Sequence, residues 1–217
     1  YINYNWQTSF GNQKRQKLFA DIDTEQYGNY SASITQIQDY TYFAFQDVAD
    51  TGLEAVDSLP QPVQANGTLR TLKLKARKDF SLGKFSLANT IMYQNVTDGQ
   101  DFYNVPELVT RNSLFYRDYL FQDALYLNTG FNFKYFSAFT ADAYDPVLGD
   151  YVVQNGTNIG DFYSLDFFLN AKVSQARIFF VMENFPTIFE GNTSFSAPNY
   201  PYRDFRIRFG LVWNLFL

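Results

Sequence analysis

The 217-residue chain has no cysteine and no histidine. Without cysteine there is neither a disulfide framework nor a thiolate to act as nucleophile or soft metal ligand. Without histidine the commonest general base near neutral pH and the commonest metal ligand are both missing. Long apolar runs are missing too: nothing approaches the roughly 18 consecutive apolar residues that a membrane-crossing helix needs. A mean hydropathy of −0.27 leaves room for a membrane β-barrel, whose inward half lowers the average. Basic residues are in deficit, 17 against 22 acidic, for a net charge of −5. Nucleic acid is therefore not the expected partner.

Aromatic residues are what the chain has in excess. With 24 Phe and 17 Tyr, they reach 20% of the sequence against 18% for charged residues. Strands and membrane interfaces both favour such side chains, and the length suits one all-β domain over 1–217. Tyr1 is neither Met nor part of a signal peptide, and Tyr1 to Trp6 reads as mid-strand. The expectation is a piece of a longer barrel, truncated at its N-terminus, or a processed form.

The last residues organise the reading. Phe205, Ile207, Phe209, Leu211, Trp213, Leu215 and Leu217 alternate with Arg206, Arg208, Gly210, Val212, Asn214 and Phe216. Because strand side chains point alternately to opposite faces, this is a ribbon with one apolar and one largely polar face. Arg208, Gly210, Trp213 and Leu215 also fit the terminal strand signal of bacterial outer-membrane barrels, which implies a barrel-assembly machinery as a partner during biogenesis.

The same period of two recurs upstream. It predicts about ten strands, each long enough to cross a bilayer when tilted. They begin near Ile2, Leu18, Tyr30, Leu72, Phe85, Glu107, Leu125, Tyr163, Ile178 and Phe205. The third, Tyr30 to Phe45, places Ile34 and Ile37 on opposite parities, which predicts a β-bulge near Thr35. Gln46 to Asn66, with Pro60 and Pro62, reads as a long loop. Short and long connections alternate over most of the chain, as they do in membrane barrels with short periplasmic turns and longer outer loops. A soluble sandwich gives no reason for that alternation.

On the polar parity stand Lys73, Lys75, Arg77, Arg111, Arg117, Lys134, Lys172, Arg177, Arg206 and Arg208, with Asp166 and Glu183 among fewer carboxylates. These are the expected lumen-lining residues. A basic lining predicts a mild preference for anions, unless cross-strand pairing cancels the charge. Asp21 and Asp23 share a strand face, and Asp142 and Asp145 share a loop, but no nucleophile or third ligand accompanies either pair. Catalysis, a metal and a cofactor are not expected.

Three stretches carry a resemblance: Lys134 to Gly149, Leu169 to Val173 with Arg177 to Phe180, and Ser196-Ala-Pro-Asn-Tyr-Pro-Tyr-Arg-Asp-Phe205. Together they resemble the putative porin family of the Bacteroidota outer membrane. The resemblance implies an antiparallel up-and-down transmembrane β-barrel in the bacterial outer membrane, contacting outer-membrane lipid and passing small solutes or ions by diffusion. Two other readings are carried forward. One is a non-conducting structural or adhesive barrel acting through its loops, and the other a soluble lipocalin-like binder with an apolar interior.

Overall fold

The computed structural model describes residues 8–46 and 59–214. Its main body is a nine-stranded antiparallel sheet whose neighbours follow chain order. The strands are β1 Lys14–Thr24, β2 Gly28–Gln38, β3 Thr68–Leu82, β4 Phe85–Asp98, β5 Leu108–Leu120, β6 Leu125–Phe136, β7 Phe162–Val173, β8 Ala176–Glu183 and β9 Arg206–Trp213. They realise all but the first of the strands expected from the sequence. Most of that first strand lies outside the described residues, and residues 8–13 are not in a strand.

The register sorts side chains cleanly. Pairs such as Ala20 with Ala32, Leu74 with Tyr93, Leu87 with Leu114, Phe131 with Phe167 and Phe180 with Phe209 form one face. Lys73 with Gln94, Ser113 with Asn132 and Asn170 with Asn128 form the other. The apolar face is largely bare: Leu18 is 73% exposed and Phe209 81%, with Ile22, Leu114, Leu211 and Trp213 also exposed. Leaving one such side chain in water forgoes about 1.5–3 kcal/mol. Over the whole face that loss exceeds by several-fold the ~5–15 kcal/mol net stability of a typical domain. Such a face requires an apolar surrounding.

Aromatic side chains mark both ends of the apolar face, each hydroxyl finding a polar partner. At the short-turn end Tyr30 donates to the Tyr27 carbonyl oxygen at 2.8 Å, and Tyr116 donates to Asp118 at 2.7 Å. At the other end Tyr135 donates to Asp161 and Tyr163 to Glu190, both at 3.0 Å. The Lys78 ammonium sits 5.1 Å from the Phe80 ring centre, carrying its charge out from an apolar stem. Apolar bodies with wet tips are what membrane–water interfaces select.

Four connections are short: 25–27, 83–84, 121–124 and 174–175. The other four are long and fold on themselves. Residues Thr41–Gln46 pair with Leu59–Gln64, and Asp150–Val153 runs parallel to Thr41–Gln46 while pairing with Ala143–Asp145, giving a four-stranded sheet made from two distant loops. A single helical turn, Thr187–Glu190, and a small hairpin, Phe195–Ala197 with Tyr200–Pro201, occupy the last loop.

Two expectations are corrected here. The third strand is two strands: β2 ends at Gln38, Asp39 takes a φ of 55°, and Thr41–Gln46 leaves for the loop sheet. There is no bulge at Thr35, since β2 pairs without interruption on both sides. Ile37 simply lies on the polar face, paired with Leu69 and buried with it. Likewise, the second half of the 46–66 loop is a strand. Pro60 and Pro62 are tolerated because Leu59–Gln64 is the edge of its sheet, where a missing N–H donor costs nothing.

Candidate functional site

Cross-strand register brings the expected polar residues onto one surface. Lys73, Lys75 and Arg77 face Gln94, Met92 and Thr90. Thr90 faces Arg111, and Arg111 faces Lys134. Lys134 is followed by Ser164, Asp166 lies opposite Asn132, and Lys172 pairs with Arg177. Glu183 faces Arg206, and Val181 faces Arg208. Arg117 lies beside Asn128, with its guanidinium 4.9 Å from the Phe115 ring and bonded to Ser86 at 3.3 Å. Within the terminal signal, Arg208 and Gly210 are on this polar face and Trp213 on the apolar one. Leu215 lies outside the described residues.

The charges divide into paired and unpaired groups. Lys134 reaches Asp166 at 3.1 Å, Arg77 reaches Asp79 at 3.7 Å, and Glu183 holds both Arg208 and, at 3.6 Å, Arg203. Among the described residues Lys73, Lys75, Arg111, Lys172, Arg177 and Arg206 form no ion pair. Cross-strand pairing thus neutralises only part of the face. Asp21 accepts a hydrogen bond from the Asn29 amide at 3.0 Å.

The long loops fold over the polar side. Tyr103 and Val105, from the β4–β5 loop, help close a cavity with Arg15, Lys17, Thr35 and Lys73 of the wall. The last loop is anchored through a buried polar group. The Asn184 N–H donates to Asp166 at 2.9 Å, the Asn184 amide donates to the Arg203 carbonyl oxygen at 2.9 Å, and Arg203 returns to Glu183. Asp166 and Glu183 lie on the polar-parity side of their strands, and the last loop bonds to both, a contact that no local sequence pattern encodes.

A second cavity, about 420 Å³, lies among the loops themselves. The Tyr40, Tyr42 and Phe102 rings stand nearly parallel, 5.2–6.3 Å apart, and Tyr103 meets Tyr40 edge-on at 5.9 Å. Asp142 and Asp150 also line the space. Burial holds the Asp142 carboxyl above the ordinary carboxylate range, partly offset by a 2.8 Å hydrogen bond from Asn104. Burial, with Tyr103, Asp142 and Asp150 nearby, raises the Tyr40 phenol as well. The sequence reading passed over this cluster, because its members come from three separate loops.

A sheet with one lipid-suited face, aromatic ends and alternating turns and loops is that of an antiparallel outer-membrane β-barrel. The FrpB iron transporter from Neisseria meningitidis (F3-3 variant) shares the fold, with a TM-score of 0.57 and 15% identity over 92% of this chain. This chain spans 30% of that protein's length. The chain belongs to the family described as "putative porin", whose profile matches residues 1–217. Comparison with curated proteins finds no match.

Proposed function

We propose that the chain forms wall and loops of an outer-membrane channel through which small solutes and ions diffuse passively. The outer membrane of a Gram-negative bacterium, the Bacteroidota by resemblance, is its proposed site, with lipid against the apolar face and the barrel-assembly machinery as a transient partner. The observation that carries the reading is the polar face: Lys73, Lys75, Arg111, Lys172, Arg177 and Arg206 lie on it without ion-pair partners among the described residues. Unneutralised side chains of one sign need water, and a water-filled interior supplies it. The porin family and the barrel fold support the same conclusion.

The test is conductance of the full-length protein reconstituted in a planar bilayer. Discrete, voltage-tolerant steps with a modest anion preference are expected. A correctly folded barrel that conducts nothing would favour the second reading, a structural or adhesive barrel. That alternative draws on one observation: the loops form a packed sheet, with Val152 fully buried between them, where a simple vestibule would not require one.

A further inference from the structure

The geometry points to a binding site for an organic ammonium ion in the cavity between the loops. Three nearly parallel rings, Tyr40, Tyr42 and Phe102, supply aromatic surface, and Tyr103 closes it edge-on. Asp142 and Asp150 border the same space, and no Lys or Arg among the described residues lines it. Neither carboxylate forms an ion pair among the described residues. An aromatic surface attracts a cation through its ring quadrupoles, most strongly where water is partly excluded. Two carboxylates without counter-charge beside it add an attraction that a neutral ligand cannot use.

The cavity of about 420 Å³ admits a small alkylammonium group with room for a tail. Exposed Tyr151, at 54%, lies on its border and leaves a way in. Tyr103 is shared with the neighbouring cavity, which carries Arg15, Lys17 and Lys73. An ammonium ion held on the Asp142 side therefore meets surface of its own sign, and is repelled, if it moves toward the wall. The site retains its ligand among the loops and is not a step in a through-path. Its existence is independent of whether the barrel conducts.

The experiment uses choline and its neutral carbon isostere, 3,3-dimethyl-1-butanol, with glucose as a third probe. Each is titrated calorimetrically into the full-length protein in detergent. Choline is expected to bind at least about tenfold more tightly than the isostere, the difference being the charge alone. The Asp142→Asn/Asp150→Asn protein is expected to lose about tenfold in choline affinity and nothing for the isostere. Tyr42→Leu is expected to weaken both. Heat-shifted gel mobility checks that each variant remains folded, and the choline–isostere comparison needs no variant. Equal affinity for the two probes, tighter binding of glucose, no choline binding, or a folded double variant that binds choline unchanged would each overturn the proposal.

Discussion

Gly210 of β9 lies opposite Phe179 of β8, and a Cβ on residue 210 would stand 2.4 Å from the Phe179 ring. The glycine of the terminal signal therefore has a packing role: the ring lies over the bare backbone, as aromatic residues do beside strand glycines. Gly210→Ala should destabilise the folded barrel by about 1–3 kcal/mol through overpacking. Combining it with Phe179→Ala should recover most of that loss. Urea unfolding of the refolded protein in detergent measures both. If the double variant is no better than Gly210→Ala alone, the glycine is not there for Phe179.

Ile91 and Met92 are adjacent on β4 but face opposite ways, Ile91 toward Ala76 and Met92 toward Lys75. Ile91 is 46% exposed on the apolar face. Arginine there should cost about 2–4 kcal/mol in lipid. Met92→Arg adds a cation to a face already basic and watered, where repulsion at 4 Å is only about 1 kcal/mol. Refolding yield into vesicles should fall sharply for the first and little for the second. Comparable yields would contradict the assignment of the apolar face to lipid.

These first two relationships were half visible in the sequence. Period-two alternation identified the nine wall strands, because a face in contact with lipid must be apolar at every second position. The same alternation put Gly210 and Phe179 on polar parities, but their apposition depends on how β8 and β9 register. Lys134 and Asp166, 32 residues apart, meet for the same reason. Ile37 misled, because apolar parity is informative only where no loop covers the polar face. The loop sheet was illegible: its strands are three to six residues long, and Thr41–Gln46 finds its parallel partner more than a hundred residues downstream. Local pattern cannot encode a contact of that range.

Lys73 and Lys75 on β3 form no ion pair among the described residues, while Arg77 pairs with Asp79. Replacing all three by Glu changes the face by six units of charge. If ions pass along this face, the reversal potential under a KCl gradient should move toward cation preference. Single-channel conductance should change less than selectivity. An unmoved reversal potential would show that the current does not run along β3.

Glu183 is 8% exposed and is shared by Arg208 of β9 and Arg203 of the last loop. Arg208 is 58% exposed, so its share of the pair is discounted for screening by water. Glu183→Gln keeps the shape but removes the charge that draws both guanidinium groups together. The predicted cost is about 1–3 kcal/mol, expressed first as release of the 184–205 loop. Limited proteolysis should then cut within that loop before any loss of the heat-shifted barrel band. Simultaneous loss of both would make Glu183 part of the wall's own stability, with no separate effect on the loop.

Asp142 gives a pH dependence whose direction follows from its burial. Its carboxyl is raised above the ordinary range in the folded loops, so the folded state holds the proton more tightly than the unfolded one. The loops therefore gain stability as pH falls through the raised value, and the gain levels off below the ordinary carboxylate pKa. Hydrogen exchange of residues 139–159, corrected for intrinsic rates, should slow over that window. Asp142→Asn cannot titrate and keeps the amide partner Asn104, so it should be protected at neutral pH and flat across the window. Choline affinity should run the other way, falling as the carboxylate is protonated. Opposite slopes for protection and binding, the first abolished by Asp142→Asn and the second only reduced because Asp150 still borders the site, separate this group from the other carboxylates of the loops; parallel slopes, or a protection slope that survives the substitution, would assign the effect elsewhere.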